Sequence, residues 1–191
     1  MKYSLHLGRP FGIRVSVHWT FILIIVWVVF VNMQQGMNLM QTAYSVLFIL
    51  AIFVCVVLHE LSHSLVARRY GINTRGITLL PIGGVADLEK MPDEPRQELV
   101  VSLAGPLMNV AIALLLWVVL ATTGSLRLDA STFQEITHSN FLLILMFANL
   151  TLAVFNLVPA FPMDGGRVFR SLLALKMSRD DATYVAMNIG K

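Results

Sequence analysis

His59-Glu60-Leu61-Ser62-His63 is the stretch of this sequence whose residue types and spacing are best suited to chemistry. On a helix, residues four apart stand one turn apart on one face, so both imidazoles can reach one metal ion. Glu60 sits beside them, within reach of a water on that ion. Two histidine ligands and a carboxylate general base are what metal-assisted hydrolysis of a peptide bond requires. The plainer alternative is two packed histidines and an interfacial glutamate. The surroundings weigh against it, because the preceding residues are Ala, Ile, Phe, Val, Cys and Leu. An ionisable group at membrane depth costs about 3 kcal/mol on insertion scales and is functional by default.

A catalytic zinc usually takes three protein ligands. His6 and His18 precede or open the first apolar segment, and His138 falls on the opposite side of the membrane. Glu98 closes a charged connection over residues 87–98 and reads as solvated. Asp164 is the better candidate. It follows Asn156-Leu157-Val158-Pro159-Ala160-Phe161-Pro162-Met163 and precedes Gly165-Gly166. The two prolines break the helix, and the glycines let the aspartate turn back toward the histidines. By itself Asp164 could equally be an N-cap; the histidine pair tips the reading toward a ligand. Cys55, four residues before His59, shares its helical face and could offer a thiolate, though packing explains it more simply. Amides inside apolar helices need partners. Asn109 and Asn149 read as helix–helix hydrogen bonds, and Asn156, nearest Asp164, as a substrate contact. Ala104 and Gly105 read as a close-packing face and not as a site.

The elements that must position these residues belong to a membrane protein. Of 191 residues 57% are hydrophobic and only 13% charged, where a soluble domain carries about 25% charged. Apolar segments at 17–33, 43–67, 99–121 and 139–158 each approach the roughly 20 residues that cross a bilayer. With the N-terminus in the cytoplasm, all of the 14 lysines and arginines except Arg127 lie inside, as short loops require. These basic residues form no cluster, so the net charge of +3 does not mark a nucleic-acid partner. A single cysteine excludes an intramolecular disulfide.

Residues 77–88 are apolar but too short to span, and Pro81, Gly83 and Gly84 break helix. They read as a re-entrant strand pair or loop beside the second helix. Gly83 and Gly84 would admit a close backbone, so an edge over 82–85 could pair with an extended substrate. Residues 165–177 read as an interfacial amphipathic helix, and another helix begins near 180. The first apolar run reads as a retained anchor and not a cleaved signal. The expected fold is an all-α polytopic membrane protein. It has four to six transmembrane helices, a small re-entrant β-hairpin or loop, and a single domain over 1–191 that stops within its last helix.

Taken together, the zinc pattern, Asn156…Pro159…Asp164-Gly165, Gly83-Gly84 and Ser102-Leu103-Ala104-Gly105-Pro106 resemble the site-2 protease family of intramembrane metalloproteases. The likeness runs from about Val17 to Arg170. It implies one zinc ion held by His59, His63 and Asp164, with Glu60 as the base and Asn156 contacting substrate near the scissile bond. It implies a site open to the cytoplasm; a prokaryotic cell membrane is the expected location. The substrates would be membrane-anchored regulators or signal-peptide remnants. The opening Gly12-Ile13-Arg14-Val15-Ser16-Val17-His18-Trp19 looks like the branch without an inserted PDZ domain, whose members often carry a CBS domain pair after the membrane part. Two rivals remain on sequence alone. A metal transporter would distribute its polar residues across the membrane, and an inactive scaffold would have no use for Glu60.

Overall fold

The computed structural model describes residues 4–189, except 82, 91, 127–131 and 134. Lys2, Ile82, Arg127 and Lys191, which entered the topology and strand-edge readings, lie outside the described residues. The chain starts with strands β1 (Ser4–Gly8) and β2 (Arg14–His18), then helices α1 (Phe21–Gln34) and α2 (Leu39–Arg69). A hairpin follows, β3 (Thr74–Leu80) and β4 (Gly83–Leu88). The remainder is α3 (Pro95–Thr122), α4 (Phe141–Asn156), α5 (Asp164–Ala174) and α6 (Arg179–Ile189).

The expected hairpin at 77–88 is present, but it is half of a larger sheet. Four strands run in the order β1-β2-β3-β4. The outer pairs are antiparallel, and β2 lies parallel to β3 with Val15 beside Ile77. The all-α expectation is therefore corrected to a mostly helical fold with a small mixed sheet. Arg14-Val15-Ser16-Val17-His18 alternates with the two-residue period of a strand. This draws Val17 into β2, so α1 begins at Phe21 and not at 17.

Local signals set the limits of the two long helices. Asn38 and Gln41 form a reciprocal capping box at the start of α2, at 2.9 and 2.8 Å. Arg68 and Arg69 in its last turn complement the negative end of the helix dipole, and Gly71 leaves it at φ +75°. Pro95 opens α3, where its missing N–H costs nothing.

Two helices, α2 and α3 with 31 and 28 residues, are long and apolar enough to cross a membrane. The other two apolar helices, α1 and α4, are shorter, at 14 and 16 residues. Length and composition therefore support two spans and do not by themselves confirm the four to six expected. Burial supplies a second criterion. Only 17% of the most apolar stretch of α2 and 33% of that of α3 is buried within the chain. Along α1 the buried residue is Asn32, while Ile22, Leu23, Val26, Trp27, Phe30 and Met33 are each more than half exposed. A helix in a water-soluble core shows the reverse pattern.

The sheet fixes the end of α2 that carries the histidines. Ile13, Val15 and Ile77 pack on Leu61 of α2, with Val57, Leu65 and Ala86 around them. Leu61 lies between His59 and His63, so the sheet rests directly against that turn. On another side Ala67 packs with Ile72 and Val101 of α3. If apolar α1–α4 are covered by lipid, the expressed chain stays with the membrane pellet after alkaline carbonate washing and is released by detergent. Release by carbonate would contradict that account.

Candidate metal centre

Three side chains far apart in sequence meet at one point. His59 Nε2 and His63 Nε2 lie 3.1 Å apart. Asp164 Oδ2 lies 3.0 Å from the first and 3.1 Å from the second. Both histidines are buried and Asp164 nearly so.

The other ring nitrogens decide what these atoms can be. His63 Nδ1–H donates to the main-chain oxygen of Val101 at 2.7 Å, an atom that can only accept. His59 Nδ1–H donates to Asn109 Oδ1 at 3.2 Å. Each imidazole therefore turns its Nε2 lone pair inward, toward the carboxylate of Asp164. Three acceptors within about 3 Å repel one another unless a cation lies among them. Two imidazole nitrogens and one carboxylate oxygen are a zinc donor set, and outward Nδ1–H bonds are the usual support for such ligands. The residues present thus fit a zinc ion.

Each element delivers its residue for a local reason. The helical repeat of α2 stacks His63 on His59, with their rings 4.8 Å apart and nearly perpendicular. After α4 ends, residues 157–163 turn the chain back and α5 starts at Asp164. Asp164 does not cap that helix: Met163 holds the N-cap position, and no side chain bonds there. Gly165 and Gly166 pack on the turn, since a Cβ at 165 would overlap the main chain of Leu157 and Val158. A Cβ at 166 would come within 2.8–2.9 Å of the main chain at Ala160.

Gly105 reads from sequence as a close-packing face and not as a site; it does pack closely, and what it packs against is the group of candidate ligands. A Cβ there would overlap His63 Nε2 and reach His59. Asn109 does bond between helices, as expected, yet its partner is His59 itself. Sequence offered one signal for both: Gly105 and Asn109 are four residues apart on an apolar helix.

Glu60, next to His59, faces the sheet. A Cβ added to Gly84 of β4 would stand 2.6 Å from Glu60 Cγ and 3.2 Å from Oε1. The strand main chain thus lies directly against the carboxylate. Gly83 is a glycine for a different reason, its φ of +138°.

Asn156 ends α4, and its amide donates to Leu152 O in the same helix at 2.9 Å. Cys55 is buried, and its Sγ accepts from Asn149 Nδ2 at 3.4 Å. It does not belong to the cluster of possible metal ligands found among the described residues. Glu98, read as solvated, is only 2% exposed and paired with Arg170 and Arg179. Its charge is kept in the interior by two guanidinium groups that the sequence placed elsewhere.

Comparison with known proteins gives concordant matches. The model of Peptidase family M50 matches residues 47–134 and 122–191. A zinc metalloprotease of Methanocaldococcus jannaschii is 43% identical over 100% of this chain and 52% of its own length. The Stage IV sporulation protein FB of Bacillus subtilis is 25% identical, over 68% of this chain and 41% of its own. A solved structure, the site-2 protease from Methanocaldococcus jannaschii, is 38% identical. It aligns with 98% of this chain and 80% of that one, at a TM-score of 0.67. The chain spans about half the length of the curated relatives it matches.

Because a Cβ at 105 would enter the space between the two imidazoles, Gly105→Ala is expected to weaken zinc binding by at least about tenfold. Chelator competition on the purified chain measures this; zinc affinity equal to that of the unaltered chain would contradict the geometry.

Proposed function

Because this chain belongs to Peptidase family M50, the family of the site-2 proteases, we propose that it is an intramembrane zinc metalloprotease that hydrolyses peptide bonds of membrane-anchored substrates. The observation that carries this reading is the meeting of His59 Nε2, His63 Nε2 and Asp164 Oδ2 with Glu60 one residue away.

His59, His63 and Asp164 would hold the zinc. A zinc ion in that position would polarise the scissile carbonyl and make a bound water more acidic. Glu60 would take the proton from the attacking water as the water's oxygen bonds to the carbonyl carbon. When the carbon–nitrogen bond breaks, Glu60 hands the proton to the departing amine. Both transfers need a carboxylate that is not tied up elsewhere. Among the described residues the Glu60 carboxylate makes no hydrogen bond, which supports that role.

A substrate must be extended before its carbonyl can be reached, because a helix keeps its carbonyls bonded. Among the described residues the terminal strand β4 pairs with β3 on one side and with no strand on the other. Strand addition along that edge would draw the substrate past Gly84 and onto Glu60. Gly83 and Gly84 allow the two backbones to come close. Asn156, whose amide nitrogen is occupied within its helix, would offer Oδ1 to a substrate N–H.

The exposed apolar surfaces of α1–α4 fit a bilayer, with α1 and α4 as short companions to the two long spans. The basic residues favour a cytoplasmic N-terminus and a site open to that side. The relatives compared are prokaryotic, which supports a prokaryotic cell membrane as the location.

Two outcomes are expected. Glu60→Gln lowers cleavage of a membrane-anchored reporter by about a hundredfold or more and leaves bound zinc unchanged; retained cleavage would remove Glu60 as the base. Bulky replacements at Gly83 and Gly84 also cut cleavage with zinc retained, and unimpaired cleavage would rule out strand pairing.

A further inference from the structure

Two of the three converging residues are steadied by atoms of α3, and the third is steadied by a helix that α3 holds. Glu98, Val101, Gly105 and Asn109 follow one another at intervals of three and four, a single stripe along α3. Val101 receives the His63 hydrogen bond, Asn109 receives that of His59, and Gly105 lies against both. Glu98 begins the stripe, and the proposed chemistry makes no use of it.

Its carboxylate meets Arg170 Nη2 through Oε1. Arg179 Nη2 of α6 lies 3.6 Å from Oε2 and also donates to Pro92 O at 3.0 Å. Arg170 stands on α5, six residues after Asp164, about 9 Å along one short helix. Its guanidinium lies over the ring of Phe161, 5.6 Å from the centroid, in the turn that delivers Asp164. Arg170 Nε is buried without a hydrogen-bond partner, so Glu98 is the group that compensates this charge.

Gly165 and Gly166 seat the start of α5 against 157–161. Beyond them α5 packs along α3 and α6, and about two turns on the Glu98–Arg170 pair is the charged contact within that packing. We propose that Glu98 is a positioning residue for the metal centre: its ion pair with Arg170 clamps α5 onto α3 and so sets where Asp164 Oδ2 meets the imidazoles. This rests on the metal reading given above. A clamp of this kind acts only through Asp164, whereas a pair that merely stabilises the fold acts without regard to it.

The test compares zinc affinity, by chelator competition on the whole chain in detergent, for Glu98→Gln with Asp164 intact and in an Asp164→Ala background. The expected result is a loss of about 10–100-fold with Asp164 present and essentially none once Asp164 is gone. Cobalt substituted into Glu98→Gln should also show a shifted visible spectrum. An equal loss in both backgrounds, or no loss with Asp164 present, would overturn the proposal. If thermal unfolding shows that Glu98→Gln does not fold, Arg170→Lys, which keeps the charge and loses the forked geometry, carries the same comparison. Zinc missing from the unaltered chain would overturn the metal reading itself, an outcome distinct from zinc bound equally well with and without Glu98.

Discussion

Three electron pairs directed into one small space are the constraint on which the rest of this structure turns. His59 Nε2, His63 Nε2 and Asp164 Oδ2 stand 3.0–3.1 Å from one another, a distance that is unfavourable without a cation. The protein has closed off the escape in which an imidazole rotates or changes tautomer, because both Nδ1–H groups are bound to fixed acceptors. A cluster held in this way is prepared for a metal before one arrives.

The arrangement depends on backbone that can come unusually close. Gly105 lets α3 touch the histidine rings, Gly84 lets the sheet touch Glu60, and Gly165 and Gly166 let α5 begin hard against the preceding turn. At each of these points a methyl group would push apart the elements that carry the ligands. The sheet adds direction: with Leu61 anchored between the histidines by Ile13, Val15 and Ile77, Glu60 is left facing β4. Helix, sheet and turn are thus assembled around one face of the last third of α2.

The parts of this design that sequence reveals are those governed by local repeats. Four-residue spacing put His59 and His63 on one face, and the two prolines before Asp164 announced a chain reversal; the structure brings all three together. Glycines and a proline likewise marked the β3–β4 hairpin. What stayed hidden depends on partners distant in the chain. Glu98 reads as solvated because its neighbours in sequence are charged, and only folding brings Arg170 and Arg179 to it. Asn109 could be recognised as an interhelical hydrogen-bonder, but not as the partner of His59. Strand β2 had a readable alternation in Arg14–His18, which the adjoining apolar run obscured.

The account stands or falls on whether Asp164 and the histidine pair form one site. The most direct measurement is zinc per purified chain, for the unaltered protein and for Asp164→Ala. About one zinc per chain, bound much more weakly but still measurably by the two histidines in the variant, is the result this account predicts. Zinc retained at full occupancy and affinity without Asp164 would contradict it.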